Sequence, residues 1–167
     1  MADGLILKLT GDKQGKITGE CKKADHEGEI DIMSCDFGIT VPADMSRGGG
    51  GSITGVPQLH LISFTKKADA ASAKIMNACF NSEYMTEAIV YFIFKGGETL
   101  EYQKITIKDA VFVSFQQSAH DTGEPSESFS LSCANFEYEY KEQDTESGSL
   151  GGGIVASYDV KKAKGGT

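Results

Sequence analysis

The stretch GECKKADHEGEIDI, Gly19 to Ile32, holds a cysteine, a histidine and five carboxylates within fourteen residues. Thiol, imidazole and carboxylate are the groups from which metal sites and nucleophile–base pairs are made. The order of the residues argues against both uses. Cys21, His26 and Glu27 precede a period-two run that starts at Glu29, so they fall in a connection entering a strand, where polar residues are expected.

The rest of the chain offers no better catalytic set. His26, His60 and His120 lie in separate segments, and none has the i, i+4 partner of a zinc-binding helix. Cys21, Cys35, Cys79 and Cys133 form no CxxC pair. There is no Gly-x-Ser-x-Gly elbow, and GGGGS lacks the Lys-Ser/Thr that turns a glycine loop into a phosphate cradle. In EGEIDI and EYEYKEQD the carboxylates alternate with apolar residues, the pattern of a half-buried strand with one solvated face. No metal, no cofactor and no catalytic residue is expected. An enzyme built on distant acids such as Asp109 and Glu137 is the weakest of the readings that the residues leave open.

These side chains must be positioned by strands. Apolar, β-branched and aromatic residues alternate with polar ones over Leu5–Thr10, Gly28–Val41, Pro57–Lys66, Thr86–Lys95, Leu100–Gln117 and Ser126–Lys141, and more weakly over Ile154–Val160. The glycines of Lys95–Glu98 supply a hairpin turn. In ADAASAKIMNACFN, Ala71, Ile75, Met76 and Cys79 recur at helical spacing behind a cap at Asp69 or Ser72, which predicts one short amphipathic helix packed on the sheet. Antiparallel strands with one helix make an all-β fold, a β-barrel or two-sheet sandwich. In DIMSCDFGIT the apolar phase moves from Ile30 and Ile32 to Cys35, Phe37 and Ile39, which predicts a bulge and an exposed polar face carrying Ser34, Asp36 and Thr40.

A chain of 167 residues is the length of one domain, and it buries a core without staples. The four cysteines therefore read as buried free thiols of a protein made in the cytoplasm. A net charge of −8 repels nucleic acid and anionic lipid and leaves proteins as the expected partners. The N-terminal MADG places an acid where a cleaved export signal needs positive charge, and no apolar run reaches the length of a membrane-spanning helix.

Ordered blocks of sequence carry a family resemblance. GKITGECKKADHEGEIDIMSCDFGI, LISFTKKADAASAKIMNACFNSEY, GGETLEYQKITIKDAVFVSF and GEPSESFSLSCANFEYEY resemble, in order and spacing, the haemolysin-coregulated protein family, the inner-tube component of bacterial type VI secretion systems. They supply a Gly-Glu-Ser-like turn at Gly19–Cys21, a histidine at His26, a strand ending before Gly38, a single helix ending Ala-Cys, and two later strand blocks. The resemblance runs to about Lys141, with Cys35 and Phe37 where the family usually has Trp and Ala73 where it often has Pro.

The resemblance implies a single domain over 1–167, with a core over about 3–141 and a flexible tail over 142–167. It implies hexameric rings that stack into a hollow tube, leave the bacterial cytoplasm through the secretion machinery without a cleaved signal peptide, and carry small effector proteins in the lumen. Its partners would then be further copies of itself, effectors, and the sheath, baseplate and tip proteins, with no nucleic acid and no membrane insertion. The strand bearing Ser34 and Asp36 would line the lumen. The loop Ala43–Pro57, with Met45, Arg47, Gly48, Gly49, Gly50, Gly51, Ile53 and Val56, would reach the neighbouring subunit, its glycines accepting backbone angles closed to other residues. The alternative is a monomeric β-barrel that binds a small sugar or lipid in its own mouth.

Overall fold

The computed structural model describes residues 4–44, 53–96, 98–144 and 146–166. The strands in chain order are β1 (Gly4–Gly11), β2 (Gly15–Ile17), β3 (Ile30–Ile32), β4 (Ser34–Asp36), β5 (Ile39–Thr40), β6 (Ala43–Asp44), β7 (Ile53–Thr54), β8 (Gln58–Leu59), β9 (Ile62–Lys67), β10 (Tyr84–Gly96), β11 (Glu98–Ser118), β12 (Ser126–Gln143), β13 (Leu150–Asp159) and β14 (Lys164–Gly166). One helix, α1 (Ser72–Phe80), joins β9 to β10.

All pairings are antiparallel, and they close a circuit. β1 pairs with β10, β10 with β11, β11 with β12, β12 with β9 and β9 with β4, while β3, one residue before β4, returns to β1. This is the expected β-barrel. Closure removes most free strand edges, the usual liability of a sheet. The alternating apolar residues of every stave point inward, so Leu7, Leu9, Ile30, Phe64, Ile105 and Phe129 share one buried core. The interior is filled by side chains, which leaves the outer faces and the protruding elements for partners.

The run expected as one strand over Gly28–Val41 is three short ones, because its partner changes. Ile30–Ile32 pairs with β1, and Ser34–Asp36 pairs with β9. Met33 is the residue at the break, exposed, with its N–H donated to the Thr65 carbonyl at 2.7 Å. The phase change read from the sequence is this switch: Ile30 and Ile32 are buried, and Cys35 then packs on the same core from an odd-numbered position. The Pro57–Lys66 run breaks likewise at His60 and Leu61 into β8 and β9.

The helix buries Ala71, Ile75 and Ala78, with Met76 and Cys79 half-buried beside them, so the apolar stripe lies slightly round from the one expected. Neither expected cap holds the first turn. Ala71 occupies the N-cap position, and Asp69 and Ser72 act one turn earlier. The Asp69 carboxylate accepts the Ala71 N–H at 2.9 Å, and Ser72 Oγ accepts the Asp69 N–H at 3.0 Å.

Outside the barrel, β12 runs on to pair with β13, and β13 with β14. The segment expected as a tail, 142–167, therefore contains two strands. The described ends of the segment expected as a loop, Ala43–Pro57, belong to a ribbon in which β5 pairs with β8 and β6 with β7. Two further backbone bonds lace it, Gly55 N–H to the Pro42 carbonyl at 2.7 Å and His60 N–H to the Gly38 carbonyl at 2.9 Å.

Candidate functional site: a hydroxyl face and a ribbon

Strand register gathers polar residues that are far apart in sequence. Opposite Asp36 on β4 lies Ser63 on β9, opposite that Ser130 on β12, and next to it Ser114 on β11. The adjacent row is Ser34, Thr65, Ser128 and Gln116. Cross-strand partners share a face of the sheet, so these eight residues share one outer face of the barrel wall, about 14 Å across at ordinary strand spacing, with Ser130 itself buried within it. Seven are Ser, Thr or Gln; the eighth, exposed Asp36, is the only ionised group among them.

The hydroxyls are partly committed to one another. Ser34 Oγ lies 2.6 Å from Thr65 Oγ1, and Ser114 Oγ shares a hydrogen bond with Ser130 Oγ. Each such pair keeps a spare acceptor, so the surface offers neutral, low-commitment hydrogen bonds with one carboxylate at the edge strand. Of the residues expected on this face, Ser34 and Asp36 are on it, and Thr40 is exposed further along in β5. Sequence reasoning missed Ser63, Thr65, Ser114, Gln116, Ser128 and Ser130. The signal was present in the period-two serines of SESFSLS and in ISFT, but only pairing brings the two together.

The ribbon is apolar where it is most exposed. Ile39 and Val56 are both 61% exposed, and Val41 and Leu61 are exposed too. Its base is fixed to the sheet, with the Phe37 ring 5.2 Å from that of Phe136 and the Tyr158 hydroxyl donating to the Pro57 carbonyl at 3.1 Å. Of the expected contact residues, Val56 lies on the ribbon and Ile53 pairs with Asp44 through the backbone. Met45, Arg47, Gly48, Gly49, Gly50 and Gly51 lie outside the described residues.

The Gly19–Ile32 stretch is not the solvated strand lip that its composition suggests. It does connect β2 to β3, but Cys21, His26 and Glu29 are buried. Both imidazole nitrogens of His26 face carboxylates, Nδ1 at 2.8 Å from Glu29 and Nε2 at 2.8 Å from Glu101. Nδ1 is committed to a hydrogen bond with Glu29, and the Cys21 thiol is itself pushed up, by burial first. Two glycines make the turn possible. A Cβ on Gly19 would stand 2.6 Å from the Glu29 carbonyl oxygen, and Gly28 has φ +76°. Among the described residues, no group of three or more His, Cys, Asp or Glu side chains could hold a metal ion. All four cysteines are free, and burial pushes the Cys35 thiol to about 12 and the Cys133 thiol to about 11, which makes both poor nucleophiles.

Comparison with known proteins agrees with the fold and extends it. The chain is 29% identical over 165 residues to Protein hcp1 of Pseudomonas aeruginosa, covering 97% of this chain and 98% of that protein. Its structure superposes on that of a type six secretion system protein with a TM-score of 0.86 at 21% identity, covering 97% of this chain and 99% of the other. It superposes on Hcp1 of Salmonella typhimurium with a TM-score of 0.74 at 25% identity and the same coverage. The family model described as type VI secretion system effector, Hcp, matches residues 6–140. With the barrel, the helix and most of the sequence accounted for by that match, the chain belongs to the Hcp family of type VI secretion system proteins.

Proposed function

We propose that this protein is a structural tube subunit of a type VI secretion system. Six copies form a ring, the rings stack into a hollow tube, and the tube leaves the bacterial cytoplasm with small effector proteins in its lumen, meeting the sheath, baseplate and tip proteins on the way. The role is architectural, not enzymatic. What carries this reading is the hydroxyl face: a surface four strands wide, neutral apart from Asp36, suits a channel wall that must hold a cargo and then release it. On this reading the face looks into the lumen and presents Asp36 six times to the cargo, and channel walls focus the field of such a repeated charge.

The ribbon supplies the second requirement. A closed ring needs a heterologous interface, in which one surface of each subunit meets a different surface of the next. The ribbon leaves Ile39, Val41 and Val56 exposed, and on this reading it reaches the neighbouring subunit. The monomeric small-ligand reading is less well supported, because the barrel interior is occupied by its own side chains. Size-exclusion chromatography with light scattering tests the proposal. A particle of six times the 17.9 kDa chain mass is expected, and a monomer at all concentrations and salt strengths overturns it.

A further inference from the structure

The largest cleft among the described residues, about 460 Å³, lies on the outer face of β11–β14, at the end of β13 away from its hairpin turn. Strand register builds it. Lys108, Asn135, Asp159 and Lys164 stand in one row across the four strands, and the turn from β13 to β14 adds Lys162. The Asp159 carboxylate holds that turn by accepting the Lys162 N–H at 3.0 Å. Lys108, Lys162 and Lys164 are exposed, and none of them has an ion-pair partner among the described residues. Against these ammonium groups the cleft sets only Asp159, already engaged in the turn, and exposed Glu137. In a chain of net charge −8, a local surplus of unpaired cation favours a carboxylate-rich partner.

The other end of the same hairpin has the opposite charge. Glu142, Asp144 and Glu146 follow one another at alternate positions in the turn from β12 to β13, all exposed. The turn is ordered by its own bonds. Asp144 accepts the Glu146 N–H and the Ser147 hydroxyl, each at 2.9 Å, and the Asp144 N–H donates to the Ser149 carbonyl at 2.9 Å. Glu142 and Glu146 have no ion-pair partner among the described residues. A turn already ordered has little conformational freedom left to lose on docking. β13 separates it from the cleft by ten residues, roughly 30 Å. The hairpin is thus a dipole, with a carboxylate turn at one end and a lysine cleft at the other.

We propose, granting that rings of this chain stack into a tube, that the lysine cleft is a stacking site that receives the 142–146 turn of a second copy in the next ring. Glu142 and Glu146 supply the free carboxylates, and Asp144 keeps the turn in shape. The contact is heterologous and offset along the hairpin axis, so it repeats without closing, as a tube requires. The contacts between successive rings act together, so each can be weak on its own. Exposed ammonium–carboxylate pairs are screened by salt, so stacks come apart as ionic strength rises, while rings held through the apolar ribbon persist.

Sedimentation velocity of the full chain at low and at high salt tests this. Wild-type rings should associate further at low salt and separate into single rings at high salt. Lys162→Glu with Lys164→Glu, and separately Glu142→Lys with Glu146→Lys, should each weaken that association by more than about tenfold, because like charges then face each other. The chain carrying all four reversals has exchanged its ends and should associate as the wild type does. All four positions are exposed, and thermal melts check that the fold is unchanged; if a reversal unfolds the chain, Lys162→Gln with Lys164→Gln takes its place and should also weaken stacking. Single rings at low salt in the wild type, a variant reversed at one end that stacks as tightly as the wild type, or four reversals that fail to restore stacking would each overturn the inference. A wild-type chain that stays monomeric would overturn the ring reading, and this inference with it.

Discussion

The ammonium of Lys66 lies 2.7 Å from a carboxylate oxygen of Glu127, its direct partner on the neighbouring strand, and both side chains are fully buried. Lys66 also meets Asp69 at 2.7 Å and Ser72 Oγ at 3.1 Å, and Gln117 donates to the other Glu127 oxygen at 2.9 Å. One lysine thus joins β9, β12 and the start of α1. Removing one member of a buried pair strands the other charge, so Lys66→Met should cost about 3–5 kcal/mol. The double variant Lys66→Met, Glu127→Leu should be less destabilised than Lys66→Met alone. Urea denaturation midpoints decide it.

Glu83 staples the turn between β1 and β2. Its carboxylate accepts the N–H groups of Lys13 and Gln14 and the Gln14 side-chain amide, each at 2.7 Å. Burial draws its pKa upward, but the bonds from Gln14 and Lys13 outweigh it and hold the carboxyl below the usual carboxylate range. A depressed carboxylate stabilises the fold above its unfolded value and loses that contribution as pH falls through the folded value. Thermal melts should therefore show a loss of stability below about pH 4.5 that is reduced in Glu83→Gln. Glu83→Ala should cost about 1–3 kcal/mol at neutral pH, because two backbone donors lose their acceptor.

The ribbon can be shortened without touching the core. Replacing Arg47–Ile53 by a tight turn leaves the barrel pairings intact, so the chain should melt as before but sediment as a monomer. A hexamer from the shortened chain would show that this segment is not the interface.

Asp36→Arg reverses the only charge on the hydroxyl face. Because Asp36 is exposed on an outer strand position, folding and ring assembly should be unchanged. The set of effectors that co-purifies should change, and added salt should affect that binding in the opposite sense. Unchanged cargo with unchanged affinity across salt concentrations would remove Asp36 from the lumen or from selection.

The barrel was legible because alternation survives in nearly every stave. Leu5–Thr10 and Ser126–Lys141 announce strands, and the slip from Ile32 to Cys35 announces a break. Partner choice was not legible. That Met33 marks a change from β1 to β9, or that Ser130 faces Ser114, depends on pairings between distant segments. Buried charge was hidden for a related reason. Lys66 occupies an inward position in register with Ile62 and Phe64, yet an isolated lysine in a sequence reads as solvated, and the carboxylate that allows its burial lies on another strand. His26 follows the same logic, since Glu101 is contributed by the hairpin.

The double allegiance of β12 has a mechanical consequence. Its first half, Ser126–Leu131, is bonded to β9, its later part from Asn135 to β13, and β11 runs alongside both. A pull or push on the β13–β14 edge therefore enters the barrel along the axes of β11 and β12. Antiparallel hydrogen bonds lie across the strand direction, so such a load meets them in shear, many at once, instead of peeling them in sequence. A chain wired in this way resists thrust most strongly in the direction in which its two longest strands run.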